Sequence, residues 1–256
     1  MTAPTEQPRS TGSVSAGRAM SLTYGLVLRQ LVTRGRLIGL SAVGVIVMII
    51  AAAVGASEAD GDADALERGV RLISDLGFTA LVPIVALVFA AASLGDMRED
   101  GTLVYLWLRP MDRWPVVAAA WAAAVTVSLP LSLVPLIVSA LLVDAGGALV
   151  GATVLAAIVG TIVYSALFVL AGLLVKNAIV WGLAYILLWE GLVAGFGSFA
   201  AKLAIRGYTR SIITSRTGVD LDLGDLSLAA GIAIPLLVAV AAIAVAAARL
   251  QSMEVD

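Results

Sequence analysis

The side chains that usually perform enzyme chemistry are scarce in this sequence. Histidine and cysteine are absent from all 256 residues, which removes the usual zinc ligands and the commonest general base. A P-loop needs a lysine between glycine and serine or threonine to hold phosphates, but the only lysines, Lys176 and Lys202, follow Val175 and Ala201. The sequence therefore predicts no catalytic residue, no metal site and no cofactor, and any ATP hydrolysis must come from a partner chain.

Glu190 stands out among the titratable residues because it interrupts a long apolar segment. A charge inside such a segment is costly in a membrane and often functional. Two interpretations stay open: a part in substrate passage, or a place at an outer helix end where the carboxylate pairs with a basic residue of the next loop. We predict a pair with Lys202 or Arg206, because Gly191, Gly195 and Gly197 let the chain turn back.

Aromatic and basic residues flank Glu190 on both sides. Trp181, Tyr185 and Trp189 recur at i, i+4 and i+8 and share one helix face, which could line a substrate path or outer gate, with simple packing as the alternative. Residues 199–213 predict a helix on the outer leaflet or dipping into it. The outer basic face of that helix consists of Lys202, Arg206 and Arg210.

The overall composition is that of a membrane protein. Hydrophobic residues make up 61% of the chain and charged residues 13%, with a mean hydropathy of +1.03. A soluble domain is typically about half apolar and about a quarter charged. The excess apolar surface has no water-soluble core to enter in a chain this short, so lipid must receive it. A net charge of −2 without a long basic face argues against nucleic-acid binding.

Six apolar segments are long enough to cross a bilayer, which takes about 20 mainly apolar residues. The predicted fold is an all-α polytopic membrane protein. Residues 1–20 form a disordered cytoplasmic tail and residues 21–256 the transmembrane domain. The six predicted spans lie at about 37–57, 72–95, 114–143, 146–175, 177–198 and 226–248.

The distribution of basic residues predicts the orientation. With both termini in the cytoplasm, ten of the sixteen arginines and lysines fall on that side and six on the other. The basic residues after the fifth span oppose the rule locally, but the first helix usually dominates. We expect a multi-pass protein of the cell membrane with both termini cytoplasmic.

Two further segments predict helices beside the membrane. Within residues 21–36 an apolar face recurs with helical spacing, which is typical of an interfacial helix; a cytoplasmic extension of the first span is the alternative. Between the second and third spans, Leu103, Leu106, Trp107 and Pro110 are spaced i, i+3, i+4 and i+7. In a helix these side chains would form an apolar ridge along one face, which suits docking into a groove on a cytoplasmic partner. A surface helix under the membrane would show the same pattern.

The segment between spans two and three resembles the corresponding loop of ABC-2 type transporter permeases. Members of that family have six spans, an N-terminal interfacial helix, and an acidic residue followed by Gly-Thr-Leu, leucines, Pro and Arg. The matching residues here are Glu99, Gly101, Thr102, Leu103, Leu106, Leu108, Pro110 and Arg113. One departure is Ala120-Trp121, where many members carry Gly-Lys soon after the arginine.

The resemblance implies that this loop is the coupling helix that contacts an ABC ATPase subunit. Trp107 is not one of the matching residues, but we include it in the predicted contact because it shares the apolar helix face with Leu103, Leu106 and Pro110. It also implies two ATPase copies and a second permease copy or a paralogue. The expected function is a permease subunit of an exporter that moves a lipid, an amphipathic drug or a peptide. The alternative is a non-transporting membrane anchor or mechanical-coupling subunit of a membrane complex.

Overall fold

The secondary structure of the described residues is helical. The computed structural model describes residues 16–57, 61–101, 113–144, 146–192, 203–221 and 226–252, and these ranges contain no strand. In chain order the elements are α1 (Ala16–Leu31), α2 (Arg34–Gly55), α3 (Asp62–Leu72), π1 (Ile73–Leu81), α4 (Val82–Glu99), α5 (Trp114–Leu142), α6 (Gly147–Leu174), α7 (Ala178–Ala184), π2 (Tyr185–Glu190), α8 (Ile205–Thr217) and α9 (Leu228–Ser252). π1 and π2 are π-helical segments, with wider turns than an α-helix.

Within the part of the chain that the structure describes, five helices are long and apolar enough to cross a membrane: α2, the continuous helix from Ala63 to Glu99, α5, α6 and α9. The predicted class, an all-α multi-pass membrane protein, is confirmed at this level. The remaining predicted span corresponds to a shorter apolar helix, Ala178–Glu190. The rest of that predicted span, residues 193–198, lies outside the described residues.

The predicted boundaries near the N-terminus were wrong. The structure has α1 over 16–31, an interruption at Val32 and Thr33, and α2 from Arg34, rather than one helix over 21–36. Thr33 adopts an extended conformation, with φ −108° and ψ 141°. The break lets α1 pack beside α5, where Val27 and Leu31 are fully buried.

The second membrane helix is longer than predicted. It begins ten residues earlier than the predicted 72–95, because α3 continues into π1 and α4. Arg68 pairs with Asp64 and Arg71 with Glu67, both at i,i+4 spacing. Charges of this kind support a helix outside the hydrocarbon region, although their polarity makes the segment look like a loop in the sequence.

α4 and α6 form the centre of the bundle, and small residues let helices approach closely there. A Cβ atom placed on Gly172 of α6 would lie 2.6 Å from the Ala91 carbonyl oxygen of α4. At the edge, a Cβ on Gly44 of α2 would lie 2.6 Å from the Pro135 ring of α5. Because lipid tails are as apolar as the side chains, such close packing holds membrane helices together.

Candidate functional site: a buried helix capped by Glu190

The short helix α8 lies inside the bundle, packed against α6, α9 and π1. Ile205 and Ile212 on its apolar side are buried, and Arg206 and Arg210 on its basic side are only 7% and 8% exposed. The predicted helix over 199–213 was therefore misplaced: α8 begins at Ile205, ends at Thr217 and does not present its basic face to water. Lys202 of the predicted basic face lies outside the described residues.

Glu190 caps the start of α8. Its Oε1 accepts hydrogen bonds from the Ile205 backbone N–H at 3.0 Å and from the Tyr185 hydroxyl at 2.9 Å, and its Oε2 accepts one from the Arg206 backbone N–H at 3.1 Å. The first N–H groups of a helix have no partner within the helix and carry a partial positive charge. A buried carboxylate supplies both the acceptors and the opposite charge.

This arrangement corrects the predicted ion pair between Glu190 and the side chain of Arg206; the alternative partner, Lys202, lies outside the described residues. The carboxylate meets the backbone of Arg206, while the Arg206 guanidinium donates to Thr79 Oγ1 at 3.4 Å. Backbone N–H groups are the same in every residue but proline, so no side chain in the sequence marks where such a cap will form.

Arg210 makes an ion pair with Asp75 of π1. Thr79, the partner of Arg206, also belongs to π1, so both arginines tie α8 to the same π-helical segment. Asp75 lies in the continuous 63–99 helix, and sequence reasoning missed it as a partner of α8. The charge of Arg210 is met by Asp75, whereas the Arg206 guanidinium donates to the Thr79 hydroxyl.

An apolar cleft of about 530 Å³ adjoins the start of α8. The described residues that line it are Leu167, Phe168, Ala171, Trp181, Gly182, Tyr185, Leu203, Ile205, Tyr208, Pro235 and Val238. Of the predicted aromatic face, Trp181 and Tyr185 are in this lining and Trp189 is not among them. Trp189 belongs to the π-helical segment π2, next to Glu190.

At the opposite end of the bundle, polar contacts hold the two ends of the predicted coupling segment. Glu99 Oε1 accepts a hydrogen bond from the Asn177 backbone N–H at 2.9 Å. Arg113 Nη1 donates to the Leu250 and Gln251 carbonyl oxygens, both at 2.8 Å. These carbonyls close the C-terminal end of α9, where a cation is favoured.

The same end carries a further contact that the sequence did not suggest. Arg36 Nη2 donates to Asp96 Oδ2 at 2.9 Å, which joins the start of α2 to the last turn of α4. Gly101 follows α4 with φ +68°, a conformation that favours glycine. The remaining predicted coupling residues lie outside the described residues: Thr102, Leu103, Leu106, Trp107 and Pro110.

The described residues contain no group of three or more acids that could hold a metal ion. The contacts observed at the site are hydrogen bonds, the ion pair of Arg210 with Asp75 and the packing of apolar groups. In the comparisons with known proteins, no family model matches this chain, and no curated protein matches it.

Proposed function

We propose that this chain is the membrane-spanning permease subunit of an ABC exporter, which works with an ATPase carried by a separate chain. Two copies of the ATPase subunit and a second permease copy or paralogue complete the complex. The cargo is a lipid, an amphipathic drug or a peptide. In this proposal the chain crosses the cell membrane six times, with α7, π2 and the residues after them as the fifth span.

The observation that carries the proposal is how the segment between Glu99 and Arg113 is anchored. Glu99 bonds to the turn between α6 and α7, and Arg113 bonds to the end of α9. These contacts join residues 78 and about 138 positions apart in the chain. A partner that pushes on this segment therefore moves helices on two sides of the bundle, which is what coupling to an ATPase requires.

Two other features agree with the resemblance to ABC-2 permeases. α1 precedes the first spanning helix and packs beside α5, with a hydrogen bond from the Tyr24 hydroxyl to Thr126 Oγ1 at 3.0 Å. α8 occupies the region between the fifth and last predicted spans, where that family places short outer helices. Neither feature depends on the predicted coupling ridge, so they support the proposal separately.

The test of the coupling segment is co-purification with an ABC ATPase encoded in the same genome. We expect the wild-type chain to retain the ATPase in detergent and Trp107→Ala to weaken the complex by more than about tenfold, because an aromatic at an interface centre contributes at least ~2 kcal/mol. Trp114→Ala, on the exposed start of α5, is the matched control. Equal retention by the wild type and Trp107→Ala would contradict the assignment.

The membrane orientation can be measured on the same protein. The chain has no cysteine, so single cysteines at the exposed positions Ala63, Asp100 and Asp220 react with a membrane-impermeant maleimide without background. We expect labelling of intact cells at positions 63 and 220, and labelling at position 100 only after permeabilisation. Labelling of intact cells at position 100 would reverse the proposed orientation.

A non-transporting anchor is the competing function, and it predicts the same ATPase complex. The two differ in what the complex does with ATP. An exporter moves cargo across a sealed proteoliposome when ATP is supplied, and the movement stops when the P-loop lysine of the ATPase is replaced. An anchor binds the ATPase but moves none of the lipid, drug or peptide probes.

A further inference from the structure

The apolar cleft beside α8 has walls suited to hydrocarbon. The described lining residues carry no charged side chain, and their polar side-chain groups are the hydroxyls of Tyr185 and Tyr208 and the indole N–H of Trp181. The Tyr185 hydroxyl already donates to Glu190, so the walls are mainly apolar. If the space of about 530 Å³ were empty, the side chains that line it would lose dispersion contacts on the side that faces the cleft. The cleft is therefore expected to be filled, and by something apolar.

The mouth of the cleft faces the lipid side of the bundle. Trp181 on α7, Leu203 just before α8 and Val238 on α9 are 65%, 56% and 39% exposed. α9 is one of the helices long and apolar enough to cross a membrane. Large apolar side chains exposed on a membrane-spanning bundle meet lipid tails rather than water, so the molecules closest to the opening are bilayer lipids.

The inner wall of the cleft is held in place by a polar anchor. Tyr185 and Ile205 both line the cleft, and both donate a hydrogen bond to Glu190 Oε1, the first through its hydroxyl and the second through its backbone N–H. Phe168 packs edge-on against Tyr185, with ring centroids 6.4 Å apart. These bonds fix α7, π2 and α8 relative to one another, so the cleft is preformed and does not collapse when it is empty.

We propose that this cleft binds one acyl chain of a bilayer lipid, which enters sideways between α7 and α9. Within a membrane an acyl chain gains little from leaving its neighbours, because lipid tails are as apolar as the cleft. Its retention depends on shape and close packing against the partly exposed rings of Tyr185 and Tyr208, which both line the cleft. The inference goes beyond the proposed function and holds whether or not the chain couples to an ATPase.

The test uses the full chain alone in nanodiscs of phosphatidylcholine that carries a photoreactive diazirine midway along one acyl chain. Adducts are mapped by mass spectrometry. We expect wild-type adducts on Tyr185 and Tyr208, and their loss in Ala171→Phe, which places a ring inside the cleft. Ala148→Phe, at an exposed position of the same helix, is the matched control and should keep the adducts.

Adducts at Val240, which is 68% exposed, report contact with bulk lipid and should be equal in all three proteins. Leu167→Trp is a second cleft-filling variant, to be used if Ala171→Phe does not fold. The proposal is overturned if wild-type Tyr185 and Tyr208 stay unlabelled while Val240 is labelled, or if neither cleft-filling variant lowers their labelling. Because no ATPase is present, either result leaves the coupling proposal to be judged by its own experiments.

Discussion

Glu190→Ala removes three hydrogen bonds, of which two hold the end of π2 to the start of α8 and the third joins Glu190 to Tyr185 within π2. Loss of a helix cap costs up to about 2 kcal/mol, and loss of the Tyr185 bond about 1 kcal/mol. Hydrogen bonds between membrane helices average nearer 0.6 kcal/mol, so three of them give roughly 2 kcal/mol. We therefore expect Glu190→Ala to lower the free energy of unfolding by about 2–3 kcal/mol.

Glu190→Gln is the more informative variant because it keeps the shape and one acceptor oxygen. The two backbone N–H groups at Ile205 and Arg206 each use a different carboxylate oxygen, and an amide NH₂ cannot accept a bond from either. One of the two donors is then left unpaired in a buried site, which costs about 1–3 kcal/mol. The loss should therefore be smaller than that of Glu190→Ala, yet clearly measurable.

The assay is the melting temperature of each variant in one detergent. A loss of 1 kcal/mol lowers the melting temperature by about 2–4 °C for a chain of roughly this size, so Glu190→Ala should melt roughly 4–12 °C below the wild type. Combining Glu190→Ala with Tyr185→Phe should cost less than the sum of the two, because both remove the same bond. Tyr24→Phe, in the distant α1 contact, should be additive. Wild-type melting of Glu190→Ala would refute the cap.

Further predictions concern the helix crossing at the centre and the contact at the end of α9. Gly172→Ala should lower the melting temperature, because its Cβ would meet the Ala91 carbonyl at 2.6 Å; Gly151→Ala on the same helix has open space and should stabilise by up to about 1 kcal/mol. Equal effects of the two would contradict the proposed crossing. Arg113→Ala should speed hydrogen exchange in the last turn of α9, whereas Arg249→Ala, at an exposed position there, should not. Unchanged exchange in Arg113→Ala would argue against the anchor.

The spanning helices could be predicted from the sequence because their signal is local. A run of about 20 apolar residues is typical of a helix that crosses a bilayer. The predicted spans at 114–143 and 146–175 match α5 and α6 to within one residue at each end. The charged start of the second membrane helix was missed because i,i+4 ion pairs such as Arg68 with Asp64 support a helix without any apolar pattern.

The candidate site was predicted only in part. Glu190 could be singled out, since a single acid in an apolar segment is conspicuous. Its partners could not, because backbone N–H groups carry no sequence signal and because the burial of α8 depends on packing against helices far away in the chain. The π-helical turns of π2 could not be foreseen either, and neither could the absence of Trp189 from the described lining of the cleft. The contact of Arg113 with the end of α9 likewise joins residues over 130 positions apart.

The central claim, that this chain couples an ATPase to the membrane, is tested most directly by ATP hydrolysis in the purified complex. The measurement is the vanadate-sensitive hydrolysis rate of the ATPase in lipid nanodiscs, with the wild-type chain, with Leu103→Asp and without the chain. We predict a rate several-fold higher with the wild-type chain than without it, and a return to the lower rate with Leu103→Asp. A rate that is the same in all three samples would contradict the coupling account.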